Sequence, residues 1–401
     1  MRRVWVAVHR YCGLALLVLL LVNAVTGSLI AFEHEIDAWL NPQLHRVADR
    51  PALAPDALIA RVEQAHPHLQ VSQIPLDAQP GQAYELRVVP RLDATTGKPY
   101  VLGFDRLFAD PATGAVLGHR TWGALRVDRV HVMTFLNVLH RKFQLPGKWG
   151  MWLTGTAALV WLFTALVGTC LTLPRLKAWR AGFWQRWKPA WQIKRGAAWQ
   201  RTTFDLHRAL GLWTLPVALT LAVSGVYFSL GNEVFRPVVR WFAPLSVHPI
   251  NHLQPRPGPT MPPAFGTEAA IERARAYLPP AAHAFQPWYA SHVPRLGVYR
   301  IAFKEAGMRE QRLRLRYEQV FIDDRSGALK GFSGYETGTS GDRFLIWQYP
   351  LHTGRILGWW GRLLVCMGGV ATESLCVAGL MVWWSRRPSR RMQVARAMRT
   401  A

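Results

Sequence analysis

Five histidines carry the chemistry open to this chain. His9 and His207 stand where two apolar stretches begin, His140 and His352 precede two others, and His34 follows the end of the first. Imidazole is the commonest metal ligand in proteins, and two imidazoles from separate helices at one depth can hold a haem iron between them. His9 with His207 meets that requirement at one membrane face. At the other face the candidates are His140, His352 and His34, of which one haem takes two. Zinc is the rival, but a structural zinc asks for four ligands from a compact set, and Cys12, Cys170, Cys366 and Cys376 are scattered through apolar stretches. No C-x-x-C-H sequence is present for covalent haem attachment, so the cofactor expected is haem b, two per chain. Two six-coordinate haems leave no open iron site, and the function expected is electron transfer.

Spacing along the first stretch supports a flat ligand. His9 and Gly27 lie about five helical turns apart and His9 and His34 about seven, so on one unbroken helix all three share a face. Gly13 and Gly211 each follow their histidine by four residues on that same face, where a missing side chain lets a macrocycle approach the backbone. Gly225 stands to His207 as Gly27 stands to His9. Arg10, Arg208, Arg141 and Arg355 are candidates to pair haem propionates, with lipid headgroups as the competing partner. His131 lies nine residues before His140 and would face the other way on a continuous helix.

The elements that position these residues follow from hydropathy and charge. Residues 11–32, 151–173, 209–230 and 363–384 are apolar runs long enough to cross a hydrocarbon core as helices. The chain has 48 Lys and Arg against 24 Asp and Glu. Most of that excess falls in residues 1–10, 174–208 and 386–401, where Asp205 is the only acid. By the positive-inside rule these segments are cytoplasmic, which gives four spans with both termini inside. The basicity then reports topology and contact with anionic lipids, and nucleic acid is not an expected partner. The first stretch also resembles a signal peptide, but it is half of an internal repeat, which argues against cleavage.

That repeat is explicit. His9-Arg10-x-x-Gly13-Leu14, followed by Thr26-Gly27, returns as His207-Arg208-x-x-Gly211-Leu212 with Ser224-Gly225. Leu139-His140 and Leu351-His352 both lead through paired glycines into a span. Each pair of spans brackets a polar segment, and the turn from Asp110 to Gly114 matches the one from Asp323 to Gly327. The expected fold is an integral membrane α-helical protein of four transmembrane helices in two parallel repeats, with two outer α+β domains. The boundaries are 1–32, helix 1; 33–148, outer domain 1; 149–173, helix 2; 174–206, basic loop; 207–230, helix 3; 231–352, outer domain 2; 353–385, helix 4; and 386–401, tail.

With these motifs in place, the chain resembles the PepSY-associated transmembrane family over nearly its whole length. The resemblance rests on the His9 motif with Thr26-Gly27, on Glu33-His34-Glu35-Ile36-Asp37 running into Leu40-Asn41-Pro42, on the turn from Asp110 to Gly114, and on His352-Thr353-Gly354. It implies that the outer modules are PepSY domains in the periplasm and that the chain lies in a bacterial inner membrane. It further implies a haem-dependent ferric siderophore reductase that releases ferrous iron. Asn232 stands where a second His34 would fall, so His34 has no symmetric counterpart. No G-x-G-x-x-G after a strand and no P-loop is present, so electrons are expected from a partner, a cytoplasmic flavin reductase or a membrane quinol. Competing expectations are a siderophore permease or importer and a regulatory binding module built on the outer domains.

Overall fold

The computed structural model describes residues 1–77, 79–174, 182–256, 262–306 and 316–385. The tail 386–401, the basic residues Arg175, Lys177 and Arg180, and part of the proline-rich stretch 255–263 lie outside the described residues.

Helix α1 (Arg2–Ile30) is long and apolar enough to cross a membrane. It stops at Ala31 and Phe32, and a separate helix α2 (Glu33–Leu40) starts with Glu33 and Glu35 in its first turn, where acids suit the helix dipole. Helices α3 (Pro42–His45) and α4 (Pro55–Ala65) lead to strands β1 (Leu69–Pro75), β2 (Tyr84–Pro90), β3 (Arg106–Ala109) and β4 (Val116–Arg120). Helix α5 (Val132–Lys142) then folds back against α6 (Trp149–Thr172), a second candidate span. That hairpin is tight: a Cβ on Gly150 would lie on the Lys142 carbonyl.

The chain continues through α7 (Phe183–Trp187) into α8 (Trp199–Trp213) and α9 (Leu215–Ser229). The third span, expected as one straight helix, is broken, because α8 and α9 meet at 65°. Pro216 explains the bend, since it has no N–H to donate and its ring clashes with the carbonyl one turn earlier. A π-turn over Gly231–Phe235 and α10 (Arg236–Arg240) follow. Next come α11 (Thr267–Arg275), β5 (Gln286–Val293), β6 (Val298–Lys304), β7 (Tyr317–Asp323) and β8 (Leu329–Gly334). Helix α12 (Ser340–His352) and the last span α13 (Gly358–Ser385) complete the described chain. The protein is therefore a multi-span helical membrane protein, with up to four spans when the bent pair counts as one.

The two expected outer domains are not separate. All eight strands form one open antiparallel sheet in the order β4-β3-β2-β1-β5-β6-β7-β8. The seam pairs Gln73 with Ser291, Ile74 with Ala290 and Pro75 with Tyr289. Left alone, β1 and β5 would each expose a row of unpaired backbone groups, and pairing them satisfies both edges. Helices α4 and α11 pack on this sheet over a single core that includes Leu58, Val62, Ala270, Ala274, Leu86 and Ile301. Across the seam, Asp56 in the first turn of α4 accepts from the backbone N–H of Thr267 at 2.6 Å and of Glu268 at 3.1 Å, capping α11.

Candidate functional site

Two pairs of imidazoles face each other inside the helix bundle. The ring centres of His9 and His207 are 6.2 Å apart, and those of His140 and His352 are also 6.2 Å apart. Each pair draws one ring from each half of the chain. Helix α1 packs between α6 and α13, and α9 between α6 and α12, so α1 and α8 present the first pair while α5 and α12 present the second. All four histidines are half-buried among the surrounding helices.

The hydrogen bonds at Nδ1 repeat from ring to ring. His9 donates to the Thr164 carbonyl at 3.0 Å and His207 to the Leu375 carbonyl at 3.0 Å. His140 donates to the Asn23 carbonyl at 3.1 Å. The hydroxyls of Thr26 and Ser224 lie 3.1 Å and 2.8 Å from Nδ1 of His140 and His352. Each hydroxyl already gives its own proton to the carbonyl one turn back, Val22 at 2.6 Å and Thr220 at 2.5 Å. They must therefore accept from the ring, which places the proton on Nδ1 and leaves the Nε2 lone pair free. That is the tautomer of a metal-bound imidazole whose other nitrogen is fixed by an outer hydrogen bond.

Glycines hold the rings from behind. A Cβ on Gly168 would stand 2.7 Å from Cε1 of His9, one on Gly379 3.2 Å from His207, and one on Gly27 2.9 Å from His140. A Cβ on Gly13 would meet nothing within 4 Å, so the face one turn beyond His9 is open. Gly211 and Gly225 instead pack near Leu375 and Ala158, at 3.7 Å and 3.4 Å from where their Cβ atoms would be. Buried oxygens Asn23 Oδ1 and Asn137 Oδ1 have no partner; the Asn23 carbonyl accepts from His140, and Asn137 stands three residues before it.

The residues fit a haem at each pair. Ring centres about 6 Å apart would leave room for one iron bonded to both imidazoles, given metal–nitrogen bonds of ~2 Å and roughly 1 Å from nitrogen to ring centre. Among the described residues no group of three or more His, Cys, Asp and Glu could hold a metal ion. A porphyrin iron needs only two protein ligands, because the macrocycle supplies the rest.

Several expected roles fall elsewhere. His34 does not join the outer pair, because the break after Ile30 takes it off the face of α1. It lies exposed on α2, its ring 5.9 Å from His45. Arg208 is held by Asp205 at 2.9 Å and the Pro189 carbonyl, so its charge is already paired. Arg355 lies over the Tyr349 ring, and His131 bonds Asp128 at 2.8 Å. Arg10 follows His9 on α1. Thr164, Asn23, Gly168 and Gly379 also act at the rings. The signal for the last two was available, since both sit in the second span of their half at matching places.

A family model described as the PepSY-associated TM region matches residues 6–386. No curated protein matches the chain.

Proposed function

The chain belongs to the PepSY-associated transmembrane family, and on that premise we propose that it carries electrons through two b-type haems to a ferric siderophore outside a bacterial inner membrane. What supports this reading above all is the pair of equal histidine constellations, each with ring centres 6.2 Å apart. His9 with His207 would hold the inner haem and His140 with His352 the outer one. Bound there, haem supplies a one-electron iron couple. The chain's own work is orientation. Carbonyls and hydroxyls fix each ring at Nδ1, glycines set how closely the His9, His207 and His140 rings meet the neighbouring helix, and the spans exclude water between the two depths. Measured along α1 from His9 to Thr26, those depths are roughly 25 Å apart.

In this reading the chain is two parallel repeats whose sheet halves are PepSY-like, both termini are cytoplasmic and the sheet is periplasmic. One electron from a cytoplasmic flavin reductase or a membrane quinol converts the substrate's Fe3+ to Fe2+, which the siderophore holds less tightly. The basic inner segments meet anionic lipids and the donor. Purified protein should show a haem b spectrum with two haems per chain, and His207→Ala should lose one of them. A protein with none, or with one in the unmutated chain, overturns the proposal.

A second reading draws on the family match and on the lack, among the described residues, of any three-ligand metal group. In it the chain is a siderophore permease or a regulatory binding module. Uptake of labelled siderophore by vesicles without reductant favours the permease, and function retained after replacing all four paired histidines favours the module.

A further inference from the structure

Beyond the paired histidines, one pocket of about 310 Å³ lies where α9 ends and α6 begins. It exists because the chain leaves α9 through the wide π-turn Gly231–Phe235, a geometry that recurs at functional sites. Trp152, Tyr227 and Phe228 form aromatic walls, and Lys148 and Arg236 place two cations at it. The one carboxylate there, Glu233, already accepts from the Trp152 indole at 3.5 Å. The Phe228 ring stands edge-on to His352 at 5.2 Å, so the pocket and the outer histidine pair share a wall.

We propose that this pocket receives a planar, anionic oxygen ligand, a catecholate arm of a ferric chelate, beside His352. The proposal rests on reading His140 and His352 as the outer redox site. Flat aromatic walls stack on a ring, and two cations against one engaged carboxylate favour an anionic guest. The volume is at the lower end for a small-molecule site, enough for one ring-sized arm while the rest of a chelate stays outside.

The test uses gallium(III) tris-catecholate, which is redox-inert, titrated calorimetrically into the full chain in phosphatidylcholine nanodiscs. The unmutated protein should bind it, and Lys148→Glu with Arg236→Glu should weaken binding at least about tenfold, the loss expected when charge-assisted contacts turn repulsive. Trp152→Ala, which keeps both cations, should weaken it less. Melting temperatures of the variants check that they remain folded. No binding to the unmutated protein, undiminished binding to the folded charge-reversed protein, or displacement by phosphatidylglycerol that shows a lipid phosphate site instead overturns the proposal. Gallium separates this from the haem reading. A two-haem protein that ignores the probe sinks the pocket alone, and a haem-free protein that binds it through Lys148 and Arg236 sinks the electron-transfer reading alone.

Discussion

The Thr26 hydroxyl lies 3.1 Å from Nδ1 of His140 while its own proton goes to the Val22 carbonyl. The hydroxyl can therefore only accept from the ring, and it helps fix which nitrogen faces away. Thr26→Val keeps the shape and removes the acceptor, leaving the Asn23 carbonyl alone at Nδ1. Outer-shell partners of this kind are worth roughly 10–100-fold in metal affinity. With the outer haem held as proposed, the variant should retain it less well and shift its midpoint potential, while Thr26→Ser restores both. Haem content and a redox titration check this, and a variant that titrates like the unmutated protein refutes it.

The glycines behind the rings predict selective damage. Gly168→Ala would push a methyl group to 2.7 Å from the His9 ring, and Gly27→Ala would do the same at 2.9 Å to His140. Gly13→Ala meets no protein atom within 4 Å, so it tests instead whether a bound macrocycle lies on that open face. With the two haems held as proposed, the first should perturb only the inner one's spectrum and the second only the outer one's, each at a cost of about 1–3 kcal/mol for overpacking. Low-temperature spectra that resolve the two haems separate the cases. If either alanine moves both spectra alike, or neither, the assignment of each glycine to its ring is refuted.

Arg362 and Glu35 tie the last span to α2. The guanidinium, 3% exposed, holds both Glu35 oxygens at 2.6 Å, donates to the Ala31 carbonyl at 2.8 Å and covers the Phe32 ring. The two ends of this pair are unequal, since the Glu35 side chain is 42% exposed. Glu35→Ala leaves a buried cation with only a carbonyl and a ring, whereas Arg362→Met leaves an acid that reaches water. Removing one partner of a buried pair costs roughly 3–5 kcal/mol when the charge left behind is buried, as after Glu35→Ala, and the exposure of Glu35 brings the cost of Arg362→Met down to about 2 kcal/mol. Thermal unfolding in detergent should therefore rank Glu35→Ala below Arg362→Met, and the reverse order counts against the asymmetry.

How far the chain can be read without its structure depends on the range of the interaction. Hydropathy and charge are local sums, and they locate the apolar runs within α1, α6 and α13, although α1 starts at Arg2, nine residues before the run 11–32. Spacing joins His9 to His207 and His140 to His352 because a repeat makes distant positions comparable. The seam between β1 and β5 is different: Gln73 and Ser291 meet through backbone hydrogen bonds, which leave no pattern in side-chain type. The place of His34, one of three candidates for the outer pair, escapes the sequence for a related reason. Helical arithmetic assumes a continuous helix, and nothing in Ala31-Phe32 announces that α1 stops there. Pro216 does announce the bend in the third span, but hydropathy passes over it.

Glu33 supplies a prediction in pH. Burial lifts its carboxyl from the usual 4.5 to about 7, against the opposing pull of the Asn137 amide, which donates at 2.9 Å, and of Arg120. Glu85 and Asp37, two further acids facing it, push the same way as burial, and both are themselves bonded to Arg120 at 3.1 Å and 2.6 Å. The folded state thus binds a proton more tightly here than the unfolded chain does. Stability from this group is fully present below about 4.5 and is lost as pH rises through about 7, amounting at most to about 3 kcal/mol. Glu33→Gln keeps an acceptor for Asn137 and cannot ionise. The variant and the unmutated protein should melt together at pH 4, and the variant should be the more stable at pH 8. Taking the difference between the two proteins cancels every other titrating group, so parallel melting curves across that range would mean that Glu33 is ionised in the folded protein at neutral pH.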